Sequence, residues 1–416
     1  MSKRMGWPAS IVNTTLHTLR GRVAIAPDAL DIGRGLSAAL GWILAAHEFA
    51  SDGGIPAHFD LLRNRWTASY PETTGYTVPT LLAAAMYLGR LELHSLALEL
   101  ADYLLAVRTA EGGVANWEDG PGQEAPPIVF DTGQVIFGWL AAWRDTRKQT
   151  YLDGAILAGD WLVSVQDAGG AWLRHQHRGV VKVIDVRVAW ALLCLADATG
   201  RDAYREAARR NLEWTLAQQL PNGWFSHAGF EPDEDPYTHA IAYTAEGLLE
   251  SGLLLREPRY VAAAEVTARA LLECQRPDGA LASTYADDWR PTARSSCLTG
   301  DCQAALLWLR LAGLGAHTAS AGGSRCCEEP HLWQSNKLET DPCAPGYLAA
   351  AQRAIAFVAS TQDLVTDHPG VRGGIAGSYP IYGRYGRFKY PNWAAKFFTD
   401  ALLALDGEPT PKQHPG

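Results

Sequence analysis

A glycine turn recurs along this chain at a nearly constant interval, and a period of that length is the signature of a repeat architecture. The turn reads Asp52-Gly53-Gly54, Glu111-Gly112-Gly113, Ala168-Gly169-Gly170, Pro221-Asn222-Gly223, Pro277-Asp278-Gly279 and Arg372-Gly373-Gly374. From Gly54 through Gly113, Gly170, Gly223, Gly279 and Gly374 the steps are 59, 57, 53, 56 and 95 residues. Five turns therefore sit one unit apart, and the last step carries an insertion.

Each turn follows an amphipathic helix-period segment rich in Ala and Leu and usually closed by Gln or Arg, at 36–50, 91–108, 151–166, 203–219, 259–275 and 346–362. After each turn comes a loop and then a segment apolar nearly all round, at 77–90, 132–147, 185–199, 239–256, 301–313 and 392–405. A helix apolar on every side is buried on every side. Six amphipathic helices alternating with six buried ones predict an all-α fold, a single (α/α)6 toroid over 33–407 with an exposed outer ring and an inner ring around a central cavity. Residues 1–32 form an N-terminal extension, 408–416 a tail, and about 316–345 a loop insertion before the last hairpin. The insertion holds Cys326, Cys327 and Cys343 with Glu328, Glu329, Glu339 and Asp341, without the tight spacing of a metal site.

Composition narrows the function classes. The 416 residues carry 36 Lys+Arg against 45 Asp+Glu, a net charge of −9 that argues against a general nucleic-acid binder. No uninterrupted apolar run reaches the length of a membrane span, and the start of the chain lacks the apolar core of a secretory signal, so a cytoplasmic protein is expected. Seven scattered Cys fit reduced thiols better than a disulfide framework. No cofactor and no metal are expected. Fifteen Trp and fifteen Tyr exceed what a core needs and suit a groove that stacks flat rings.

The hairpins close on turns such as Gln218-Gln219-Leu220-Pro221-Asn222-Gly223-Trp224 and Gln275-Arg276-Pro277-Asp278-Gly279. In this the chain resembles two superfamilies built on the toroid. One comprises six-hairpin glycosidases with toroidal polysaccharide lyases and sugar epimerases; the other comprises terpenoid cyclases and protein prenyltransferases. The resemblance spans about 33–407 and speaks to architecture more than to chemistry.

In a toroid the loops entering the inner helices form the cavity mouth, so polar residues at those starts are the candidate site. Asp131, Asp185 and Asp301 would bring three carboxylates to one mouth, with Glu72 within reach. His239 and Tyr243, four apart on one helix face, form a candidate proton-transfer pair. Tyr76, Gln134, Arg187, Gln303, Trp393 and Lys396 are candidate substrate contacts. So are Tyr382, Arg384 and Arg387, in a basic and aromatic run that suits an anionic ring such as a uronate. Thr74-Gly75, Thr132-Gly133 and Thr299-Gly300 read as one repeated position, with Thr as an ordinary capping residue. The loop tryptophans Trp117, Trp172, Trp224 and Trp289 serve either as ring platforms or as plugs.

These features predict a carbohydrate-active enzyme whose partner is an oligosaccharide or other small molecule, with carboxylate acid/base chemistry. The carboxylate count favours a glycoside hydrolase over a uronate lyase or 5-epimerase. A terpenoid-cyclase-like enzyme is the alternative, although the chain has no D-x-D-D motif; Glu231-Pro232-Asp233-Glu234-Asp235 has the wrong pattern. A zinc-dependent toroidal cyclase would need Cys297, Cys302 and His239 around one metal. A toroid that binds glycan without turning it over is the remaining class.

Overall fold

The repeat has a mechanical reason, visible in the computed structural model, which describes residues 25–115, 126–320 and 345–407. One glycine of each turn sits in left-handed backbone, at Gly53, Gly112, Gly170, Gly223, Gly279 and Gly373, with φ between 83° and 98°. At four of these a Cβ would lie 2.2 to 2.4 Å from a carbonyl oxygen of the next outer helix: Leu157, Arg210, Arg353 or Ala38. Only glycine meets both demands. The Gln that closes the helix completes the joint. Gln166 Nε2 donates to Gly170 O at 3.0 Å and Ala207 O at 2.9 Å, and Gln275 Nε2 does the same to Gly279 O and Ala350 O, both at 2.9 Å. Gln362 links Gly373 O at 2.7 Å to Gly35 O at 3.2 Å, joining the last turn to the first helix.

Twelve α-helices follow among the described residues. The outer ring is α1 (Ile32–Phe49), α3 (Leu91–Val107), α5 (Gln149–Val165), α7 (Asp202–Ala217), α9 (Pro258–Glu273) and α11 (Pro345–Ala359). The inner ring is α2 (Pro71–Leu88), α4 (Val129–Thr146), α6 (Val186–Thr199), α8 (Thr238–Leu255), α10 (Leu298–Ser320) and α12 (Asn392–Asp406). Each inner helix packs on the next, and α12 closes on α2. Inner helices pass to outer ones through tight left-handed caps at Gly89, Arg147, Gly200 and Arg256. At the opposite end, longer loops carry the glycine turns. The two rings are the predicted (α/α)6 toroid.

Two short sheets tie loops across the mouth. β1 (His58–Asp60) pairs antiparallel with β2 (Arg65–Trp66) and with β5 (Lys389–Pro391), while β3 (Ser296–Cys297) pairs antiparallel with β4 (Ser378–Tyr379). Phe59 faces Tyr390 in the first, so the last hairpin's loop is stitched to the first hairpin's. α10 runs to Ser320, past the 316 boundary expected for the insertion. The rest of the insertion with its three cysteines, Trp117 and the tail after 407 lie outside the described residues.

The Thr-Gly echo is real in two places and out of register in the third. Thr74 Oγ1 accepts from Ile55 N at 3.3 Å, and Thr132 Oγ1 accepts from Val114 N at 2.9 Å, each anchoring the strand just past a glycine turn. The matching amide, Leu281 N, is taken by Asp301 Oδ1 at 2.7 Å. Asp301 thus occupies the position of Thr74 and Thr132, two residues beyond Thr299.

Candidate active site

Five of the six inner-helix starts surround a cavity of about 310 Å³. α2 and the residue before it supply Tyr70, Glu72 and Tyr76; α4 supplies Phe130 and Asp131. Ile184 and Asp185 lead into α6, His239 and Tyr243 open α8, and Trp393 opens α12. Loops complete the wall with Gln176, His177, Arg178 and Lys182 on one side, Phe230, Glu234 and Tyr237 on another, and Tyr385 beneath Trp393. Trp393 Nε1 donates to Tyr385 Oη at 2.8 Å, which fixes both rings.

Asp185 is a strongly perturbed acid of this wall. It is buried, Gln176 Nε2 donates to its Oδ2 at 2.7 Å, and its Oδ1 has no hydrogen-bond partner among the described residues. Burial pushes its carboxyl up to about 7, against the opposing pull of Lys182 and the Gln176 bond. A carboxylic acid protonated near neutrality, with one oxygen unpartnered, is equipped to donate a proton. Asp131, one residue ahead of the Thr132 anchor and buried, is the second carboxylate of the site.

His239 is held by Gln303, whose Oε1 accepts from Nδ1 at 2.7 Å. That contact puts the proton on Nδ1 and the lone pair on Nε2. Burial lowers the ring's pKa to about 4, so the imidazole is neutral at pH 7. The ring packs against Tyr243 at 4.4 Å and Tyr385 at 5.3 Å between centroids. Burial also raises the phenols of Tyr76, Tyr243 and Tyr385 well above their ordinary value, so all three stay protonated.

Several expected contacts lie elsewhere. Asp301 is not in the cavity wall; its oxygens accept from Leu281 N and from the Ser296 hydroxyl, a capping role in a dry site. Arg187 is buried below the floor, ion-paired with Glu246, donating to Gln134 Oε1 at 3.2 Å and stacked 4.4 Å over the Tyr243 ring. Lys396 is buried against Asp400 at 2.6 Å, 5.0 Å from the Tyr76 ring. Gln134, Arg187 and Lys396 therefore hold the helices around the axis, and Gln303 acts on the site only through His239. Tyr382 is half exposed, Arg387 lies over Phe388, and Arg384 is exposed with Glu234 3.8 Å away. None of these three lines the cavity. Trp172, Trp224 and Trp289 plug the loops, with Trp172 Nε1 donating to Leu162 O at 2.9 Å and Trp224 set edge-on to Trp289.

Gln176, His177, Arg178 and Lys182 are residues that sequence reasoning missed. The signal was present as a cationic run, His175-Gln176-His177-Arg178, with Lys182 shortly before Asp185. It sits ahead of an inner start rather than on it.

No family model matches the chain, and no curated protein does. Solved structures do. A UGL variant with dGlcA-Glc-Rha-Glc aligns at a TM-score of 0.68 and 16% identity, over 90% of this chain and 96% of its own. An unsaturated glucuronyl hydrolase from Bacillus sp. GL1, responsible for the degradation of glycosaminoglycan, aligns at 0.66 and 16%, over 90% and 97%. One specific for heparin aligns at 0.67 and 13%, over 89% and 95%. At such identities the likeness is one of fold: the chain has the (α/α)6 toroid of these unsaturated glucuronyl hydrolases.

Proposed function

We propose that the chain is a glycoside hydrolase acting on a short oligosaccharide that ends in an unsaturated uronyl residue, with Asp185 as proton donor. The observation that carries this reading is Asp185 itself: buried in the cavity wall, raised to about 7, one oxygen held by Gln176 and the other without a hydrogen-bond partner among the described residues. Acid-catalysed cleavage of an acetal or enol ether begins with proton donation by a neutral acid, which an ordinary carboxyl cannot supply at pH 7. Asp131 stands in the same cavity to receive the proton of the attacking water. The aromatic faces of Tyr76, Phe130, Tyr243 and Trp393 offer stacking for sugar rings, and Arg178 and Lys182 offer positive charge for a carboxylate. The names of the structural relatives supply the unsaturated uronyl class.

The test is turnover of unsaturated uronyl disaccharides, followed by loss of the ultraviolet absorbance of the conjugated double bond and release of the second sugar. Wild-type protein is expected to turn over at least one member of the panel, and Asp185→Asn to be slowed by about 10²-fold or more. Absence of turnover across the panel, or full turnover by the variant, overturns the reading.

A second reading keeps the uronate and changes the step. Neutral His239, with Nε2 as its basic nitrogen and Tyr243 beside it, suits abstraction of the C5 proton of a saturated uronate, as a lyase or 5-epimerase requires. Solvent deuterium entering C5 with no hydrolysis would favour it. The zinc cyclase has less support, because among the described residues no three His, Cys, Asp or Glu side chains are placed to hold a metal.

A further inference from the structure

One wall of the cavity is a short strap, residues 175–182, that turns through left-handed backbone at two non-glycine residues, His175 (φ 60°) and Arg178 (φ 56°). Such conformations persist only where the surroundings enforce them. Lys182 braces the turn at Arg178: its Nζ donates to His177 O at 3.0 Å and Val180 O at 2.9 Å. An ammonium has three N–H groups, so one remains. The residue is 3% exposed and lines the cavity beside Asp185. A buried cation with a donor to spare, next to the acid, is a built receptor for an anion.

We propose that Lys182 seats the carboxylate of the substrate, and that seating it there holds the proton on Asp185, so that the proton donor is armed by acidic sugars and not by neutral ones. This rests on the reading of Asp185 as proton donor. Lys182 is the cation that acts on Asp185, and it favours the ionised form against burial. The other groups facing the pair are Arg178 and His177 on the strap, Asp131 on α4, Glu72 on α2, Glu231 and Glu234 on the loop before α8, and His239 on α8. Arg178 is ion-paired with Glu231, and burial holds both histidines near 4 and therefore neutral. A carboxylate placed on Lys182 offsets its charge, and the proton on Asp185 is then held more tightly. Linkage requires the converse: the anion binds better when Asp185 is protonated.

The experiment needs no turnover. Protein labelled with 13C at the Asp side-chain carboxyl is titrated by NMR, with Asp185→Asn assigning the signal, alone and with glucuronate or glucose. Glucuronate is expected to raise the Asp185 midpoint by about one unit, equivalent to tenfold tighter binding to the acid form, and glucose to leave it in place. Lys182→Met is expected to start with a higher midpoint and not respond, while Lys182→Arg responds. No shift in the wild type, an equal shift in Lys182→Met, or no binding of glucuronate overturns the proposal. Should Lys182→Met not fold, calorimetry on the wild type decides: glucuronate affinity is expected to fall about tenfold as pH rises through the Asp185 titration, and a flat profile overturns the proposal. Hydrolysis is scored separately. Full activity in Asp185→Asn would remove the acid assignment while the glucuronate response at Asp185 stood.

Discussion

Gln176 grips one oxygen of Asp185 at 2.7 Å and leaves the other with no hydrogen-bond partner among the described residues. A buried carboxyl half satisfied in this way is costly to the fold, and such arrangements cluster where a perturbed acid has a task. Gln176 is a positioning residue in this account. Gln176→Ala is expected to lower kcat while leaving the fold intact, because the acid loses its orientation.

Asp185→Asn is expected to reduce kcat by about 10²- to 10⁴-fold with little change in KM, the range for a general acid. For the wild type, kcat/KM is expected to fall as pH rises through about 7, because the active form is the protonated one. Measured pH profiles of both proteins check this: the alkaline limb belongs to the wild type alone.

Stability carries the same signature with the opposite emphasis. The carboxyl of Asp185 is raised in the folded state, so between the unfolded value near 4 and about 7 the native state binds the extra proton, and its contribution to stability is lost as pH rises through that window. The denaturation midpoint of Asp185→Asn relative to wild type is therefore expected to improve from pH 4 to pH 7. A difference that does not change with pH would contradict the buried, protonated assignment.

Asp301 is a buried acid outside the cavity wall. Its oxygens cap Leu281 N and Ser296, so Asp301→Asn keeps an acceptor for the amide and is expected to retain turnover per folded molecule. Asp301→Ala leaves both groups without partners in a dry site and is expected to cost about 1 to 3 kcal/mol, measured by chemical denaturation.

Below the floor, Arg187→Ala would strand the buried carboxylate of Glu246 and is expected to cost about 3 to 5 kcal/mol. Arg384→Ala removes an exposed partner 3.8 Å from Glu234 and is expected to change stability by well under about 1 kcal/mol. Denaturant melts of the two variants test whether the cations divide into a structural set and a solvent-facing set.

The architecture was legible because it is written many times: glycine turns, terminal glutamines and apolar helices repeat, and each copy has the same mechanical task. That Asp131 and Asp185 share one cavity wall was legible for a related reason, since both stand at inner-helix starts. Asp301 stands at such a start too but lies outside that wall, because a capping carboxylate and a cavity-facing one look the same until the amide it accepts from, Leu281 N, is located. The cations were harder. Arg187 and Lys396 stand near the starts of inner helices but turn to the buried carboxylates of Glu246 and Asp400 instead of the cavity, a matter of helical phase that residue type does not reveal. Arg384 and Arg387 lie on a loop whose path is set by β4 and β5, pairings between short strands far apart in sequence. Lys182 belongs to a strap unique to its hairpin, and a search for repeated features passes over what occurs once.

The contact of Gly373 with the carbonyl of Ala38 brings the last turn against the first helix, across more than 330 intervening residues. A ribosome delivers the outer helix that receives this joint long before the glycine that makes it. α12, which brings Trp393 to the cavity wall, is delivered later still. The joint between the last turn and the first helix is thus made by a single residue without a side chain.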